Sequence, residues 1–282
     1  MIKKTFLLLL AFNLLFATCF AGDWINKPPL GVKIDWSNPI TKGLVGCWLF
    51  NEGGGDKVYD LSGNENTGIL TNMAFPPTTS SGWNPGKDGS AIAFDDSNDY
   101  INCGDRESLE FSKAFTIEIQ FYPTNASDNT ALVDKKYSAG YMLYWYYSAL
   151  NLYINGATRS IIPAGTIIID NWNHSVAVWD GSYTYMYHQS KLIDSDSYST
   201  APTSNTNNFI IGYYSSSAYA YKGYIGYIRI WKDRALTSQE IQELYINPYG
   251  MFKKTEIALW NAAIAVPAVE RRVFLISQAN KQ

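Results

Sequence analysis

The sequence predicts an all-β protein of antiparallel strands, and three observations carry that reading. Short apolar and aromatic runs recur along most of the chain, separated by Gly, Asn, Ser and Asp turns. Aromatic residues make up 15%, with 21 Tyr and 9 Trp, side chains that suit a pleated, half-buried surface. Only one segment has a convincing helical pattern. Many short strands and almost no helix mean a β-sandwich or a barrel. A length of 282 residues fits one such domain. Hydrophobic residues at 46% and charged residues at 17% supply a core and exclude a disordered chain. The formal charge is −3 with no long run of one sign, so a phosphate-binding surface and a nucleic-acid partner are not expected.

Taken in order, residues 1–21 read as a secretory signal peptide. Lys3 and Lys4 precede an apolar run from Phe6 to Phe16, and small residues lead to cleavage after Ala21. An alternative reading acylates Cys19 and anchors the chain to lipid at the cell surface. Residues 22–42, with three prolines, form an extended lead-in. Strands are expected at Gly43–Phe50, Ile92–Phe94, Tyr100–Cys103, Phe115–Tyr122, Ala131–Asp134, Tyr141–Tyr147 and Leu150–Ile154. Others follow at Ser160–Ile162, His174–Trp179, Tyr183–Tyr187, Asn208–Gly212 and Gly223–Trp231, while residues 76–89 read as a loop. The 115–122 strand alternates cleanly: Ile117, Ile119 and Phe121 lie on one face, Glu118, Gln120 and Tyr122 on the other. Thr237 and Glu240 form a capping box for one short C-terminal helix, which Asn247 to Gly250 ends. The apolar part of the 249–282 extension is broken by Asn261 and Pro267, so no stable membrane insertion is expected.

Six segments in one order carry a resemblance. They are GLVGCWLFNEGGG (43–55), YDLSGNENTG (59–68), SAIAFDDSNDYINCG (90–104), FTIEIQFYP (115–123), WNHSVAVWDG (172–181) and GYIGYIRIWKDRALTSQEIQELY (223–245). Residues 43–248 thus resemble the laminin-G-like branch of the concanavalin A-like jelly rolls. The resemblance implies two curved antiparallel sheets packed face to face. It also implies a domain that binds glycans or glycoproteins, often with a structural calcium near the acidic hairpin.

For calcium, a hard cation taking six to eight oxygens, the candidate ligands are Asp60 and Asn64 in one loop and Asp95 and Asp99 in another. Gly226 stands where relatives often carry Asp, so one expected carboxylate is absent. For a glycan, aromatic platforms beside fixed polar groups point to Glu118, Gln120, Tyr122, Tyr144 and Tyr146. The five tyrosines from Tyr213 to Tyr224 add to that stock. Cys47 and Cys103 form one disulfide or sit as small buried residues. Retaining glycosidases need two carboxyl groups across the scissile bond. Here the best-placed strand offers only Glu118, and no cysteine has a catalytic partner. The expectation is a secreted, non-catalytic, lectin-like binding protein. The alternatives are a structural or adhesive protein attached through 249–282, and a glycoside hydrolase or lyase with a non-standard site.

Overall fold

The computed structural model describes residues 26–125, 129–135, 138–214 and 219–254. The signal-peptide and Cys19 readings, and residues 255–282, lie outside them. The early strands are β1 (Leu44–Trp48), β2 (Lys57–Val58), β3 (Gly68–Thr71), β4 (Gly82–Pro85), β5 (Ser90–Asp95) and β6 (Tyr100–Asn102). The middle of the chain gives β7 (Phe115–Pro123), β8 (Asn129–Lys135), β9 (Tyr141–Tyr146), β10 (Ala149–Ile154), β11 (Ala157–Ile162) and β12 (Asn173–Trp179). Then come β13 (Tyr183–His188), β14 (Lys191–Ser197), β15 (Ile210–Ile211), β16 (Tyr213–Tyr214), β17 (Tyr219–Ala220), β18 (Lys222–Lys232) and the helix α1 (Ser238–Ile246).

The strands form a sandwich of two antiparallel sheets. The first runs β14-β13-β12-β7-β18-β5-β4, with β1 also paired to β18; the second runs β11-β10-β9-β8-β15-β6-β3-β2. The long β18 serves two partners on one edge: Lys222–Ile225 pair with β5, and Ile228–Trp231 with β1. Ile117, Ile119 and Phe121 face the core between the sheets, as the alternation predicts, beside Trp48, Phe94, Leu143 and Trp145. Six strands, β2, β3, β4, β14, β16 and β17, were not apparent in the sequence. Among them, β4 lies inside the Pro- and Gly-rich 76–89 stretch, and β14 is polar and exposed along most of its length.

A second core covers the outer face of the first sheet. Leu236, Ile241 and Leu244, from α1 and its approach, pack there with Ile34 and Ile40 from the lead-in and with Tyr249, Met251 and Phe252. The capping box forms: Thr237 Oγ1 accepts from Glu240 N, and Thr237 N donates to Glu240 Oε2 at 2.9 Å. Ile34 bridges Phe252, and Lys253 N donates to Lys33 O at 2.8 Å, so the lead-in and the segment after α1 run side by side on this face.

The cysteines divide between the two cores, which corrects the disulfide reading. Cys47 faces the second core and Cys103 the first, and both are free thiols. They lie on opposite sides of a sheet, so no side-chain rotation can bring the sulfurs to bonding distance. Burial pushes both thiols up, away from the reactive thiolate. Both should therefore titrate with a thiol reagent only after unfolding. Dithiothreitol should leave the melting temperature unchanged; a fall on reduction would contradict this assignment.

Candidate functional site

Among the described residues, the outer face of the second sheet carries a tyrosine cluster, partly covered where Tyr214 packs on Ala131 and Met142 and exposed at Tyr146. In β9, Tyr141, Leu143 and Trp145 enter the core, so Met142, Tyr144 and Tyr146 project outward. In β10, Leu150, Leu152 and Ile154 point in, which sets Asn151 opposite Tyr144 and Tyr153 opposite Met142. The Tyr144 ring lies 5.8 Å from Tyr146 at an interplanar angle of 16°, and meets Tyr153 (5.2 Å) and Tyr214 (5.6 Å) edge-on. Tyr146 is 43% exposed and Tyr147 is 61% exposed, with Tyr147 edge-on to Tyr146 at 4.5 Å.

Two local features build this cluster. The β9–β10 hairpin turns at Tyr147 and Ser148 with φ of 46° and 62°, in positions where Asn-Gly is favoured. A non-glycine residue in this region costs on the order of 1–3 kcal/mol, and here the cost coincides with the display of an aromatic ring. The second feature is Gly212, whose φ of +80° kinks the chain between β15 and β16 and seats Tyr214 against Ala131 and Met142. Tyrosine suits such a face: it offers a large rigid contact area with a polar tip, at low entropy cost.

The first-sheet residues have a different fate. Glu118 is fully buried and ion-paired, which corrects its place in the ligand set. Its Oε2 lies 3.0 Å from Arg229 Nε, and its Oε1 lies 2.9 Å from His174 Nε2 and 3.4 Å from the Tyr227 hydroxyl. Burial alone would raise this carboxyl, but Arg229, His174 and Tyr227 outweigh it and hold the pKa below the ordinary value. Arg229 continues the network by donating to Pro248 O at 2.7 Å, tying the sheet to the segment after α1. Gln120 is also buried and donates to Asp88 Oδ2 at 3.1 Å, so it too leaves the ligand set. A Cβ on Gly226 would sit 2.2 Å from Gln120 Oε1: the glutamine fills the space where a carboxylate was expected. Tyr122 is half-buried between Trp172 and Tyr224, each at 5.6 Å. The cleft beside His174 and Gln120 is small, about 30 Å³.

The four-residue calcium set does not assemble. Asp60 is engaged locally: Oδ1 accepts from Cys47 N (2.8 Å) and Ser62 N (2.9 Å), and Oδ2 from Ser62 Oγ (2.7 Å) and Asn66 N (3.1 Å). Asn64 is bonded to Ser62 in the same turn, and Asp95 accepts from Ser97 N at 2.9 Å. Asp99 is buried, with Ser81 beside it but no well-formed hydrogen bond, and burial pushes its carboxyl up to about 6. Among the described residues no three His, Cys, Asp or Glu side chains converge on a metal position.

The structure thus keeps Tyr144 and Tyr146 together, joins to them Tyr214 from the 213–224 tyrosines, and adds Tyr147 and Tyr153. Tyr153 was legible in principle from strand alternation; the position of Tyr214 beside Tyr144 was not, because the kink at Gly212 brings it in.

Residues 95–242, just over half the chain, match the laminin G type 3 family model, described as the concanavalin A-like lectin/glucanases superfamily. The chain belongs to that superfamily. Among solved structures, this concanavalin A-like chain is similar to the binding domain of Paraclostridial Mosquitocidal Protein 1, at 20% identity and a TM-score of 0.55, covering 73% of this chain and 52% of that one. It is also similar to domain 4 of AbnA, a GH43 extracellular arabinanase from Geobacillus stearothermophilus solved with arabinotriose, at 17% identity and a TM-score of 0.53, covering 72% and 98%. A third is a mutant Trypanosoma rangeli sialidase displaying trans-sialidase activity, at 14% identity and a TM-score of 0.52, covering 77% and 36%. At these identities the likeness is one of fold. The chain spans about half the length of the toxin binding domain that it matches. No curated protein matches the chain. Among the described residues no helix is long and apolar enough to cross a membrane.

Proposed function

We propose that this protein is a secreted, non-catalytic binding protein that recognises a glycan or glycoprotein through the tyrosine face of its second sheet. The observation that carries the reading is the near-parallel Tyr144–Tyr146 pair, exposed at Tyr146 and walled by Tyr147 and Tyr153. A sugar ring has an apolar face and hydroxyl edges. The pair offers platforms to the face, and the phenol hydroxyls and backbone around Asn151 serve the edges. Secretion rests on the lysine-led apolar segment before Ala21. Arabinotriose bound to a domain of the same fold supports a saccharide ligand. The lone, sealed carboxylate of Glu118 supports a role without catalysis.

A glycan array with the full chain tests this. Tyr146→Ala should weaken the best neutral ligand about tenfold or more, equivalent to about 1.4 kcal/mol per factor of ten. Its melting temperature should stay close to that of the parent, because the ring is half exposed. Unaltered binding by a folded Tyr146→Ala protein, or a clean negative across the array, would refute the assignment.

A further inference from the structure

Trp36 is 57% exposed and belongs to neither core. A single exposed aromatic is ordinary and needs no explanation. This one is held in place, however, and is the shared wall of two clefts. Asp35 N donates to Met251 O at 2.8 Å, and Asn38 N to Asp35 O at 2.9 Å, while Ile34 and Ile40 are buried on either side. The backbone therefore fixes the indole outward. One cleft, of about 820 Å³, lies between Trp36 and the residues Lys42, Lys232, Asp233 and Arg234. The other, of about 410 Å³, lies between Trp36 and the residues Lys33, Asp60 and Lys253. Both volumes are within the ordinary range for ligand clefts, roughly 300–1,000 Å³.

Cations gather beside this indole. The formal charge overall is −3, yet three cations face Asp233 in the first cleft, and two lysines face Asp60 in the second. Of the nearby acids, Asp60 accepts three hydrogen bonds from its own turn and one from Cys47 N of β1, and Asp35 accepts from Ser37 N and Oγ and lies within the field of Lys253. Some of the cations are engaged too. Arg234 is bonded to Glu240 and to the carbonyls of Pro39, Ile40 and Lys42, so it builds the wall. Lys232 donates to Glu107 O. Lys33, Lys42 and Lys253 are exposed and make no side-chain hydrogen bond among the described residues. They place exposed ammonium groups on both sides of an exposed indole.

We infer that Trp36 and its lysines form a second saccharide site, separate from the tyrosine face, which takes an acidic chain such as a uronate or sulfated oligosaccharide. One sugar ring stacks on the indole, and its neighbours extend into the two clefts, where their carboxylates or sulfates meet Lys42 on one side and Lys33 and Lys253 on the other. The site uses none of the tyrosine-face residues, so it stands or falls independently of that face.

Calorimetry on the full chain at low salt decides the matter, using an oligogalacturonate, a heparin octasaccharide and an uncharged galactose oligomer. At least one acidic oligosaccharide should bind, and Trp36→Ala should weaken it tenfold or more. Lys42→Gln should weaken it several-fold and lessen its dependence on salt. Tyr146→Ala should leave it unchanged. Melting temperatures of the Trp36 and Lys42 variants should match the parent, since both side chains are exposed. The inference is overturned if neither acidic oligosaccharide binds, if Trp36→Ala binds them unchanged, or if the neutral oligomer responds to Trp36→Ala equally. It is also overturned if vesicles containing phosphatidylserine, and not the oligosaccharides, compete for Trp36.

Discussion

Arg229→Met should lower the melting temperature by on the order of 10 °C, a larger loss than any surface substitution would cause. The guanidinium is fully buried and is the main partner of Glu118. Removing it strands a carboxylate beneath α1 and the 249–252 segment. Breaking a buried pair by deleting one partner costs about 3–5 kcal/mol, mostly as uncompensated charge. Pro248 O also loses its donor. The pair Glu118→Gln with Arg229→Met should recover most of the loss, because replacing both partners removes the charge imbalance. The pH dependence has a definite sign. The folded pKa of Glu118 is depressed, so its stabilising contribution is complete above the unfolded value, about 4.3. That contribution fades as pH falls through the folded pKa. The gap in stability between the parent and Arg229→Met should therefore be wide at neutral pH and narrow in acid. A gap that is constant with pH would contradict the ion-pair account.

Gly212→Ala should cost about 2–5 kcal/mol and abolish recognition at the tyrosine face. Two effects add. The added Cβ would lie 2.2 Å from the Phe94 ring, which is itself packed in the core and has nowhere to go. The φ of +80° is also a conformation that L-residues adopt only under strain. Relief requires the β15–β16 kink to open, which moves Tyr213 and Tyr214. Chemical denaturation and a binding titration on the same sample check both halves. A folded Gly212→Ala protein that binds normally would show that Tyr214 is not held by this kink.

The sandwich was largely legible in the sequence because strand alternation is a local signal. The 115–122 segment is the clearest case: its inward residues are those that fill the core. What alternation cannot say is what lies on the far side of a sheet. Glu118 shares a face with Tyr122, and both read as available. The roof over that face comes from residues 34–40 and 236–252, distant in sequence on either side. The same blindness affected the cysteines, since strand membership does not reveal which core each sulfur enters. Tyr144 and Tyr146 were visible because their own strand alternates, and among the described residues Tyr146 stays exposed. Trp36 escaped notice because a proline-rich lead-in has no period from which to judge exposure.

The pairing of Lys33 with Lys253, and of Ile34 with Phe252, has a use in protein engineering. Where two chain segments run side by side at the edge of a domain, a short linker can join them and new termini can be cut elsewhere. The exposed turn at Asp180–Gly181 is a suitable place for the cut. The same proximity would let the domain be spliced into a host loop as a single insert, leaving the tyrosine face on the outside.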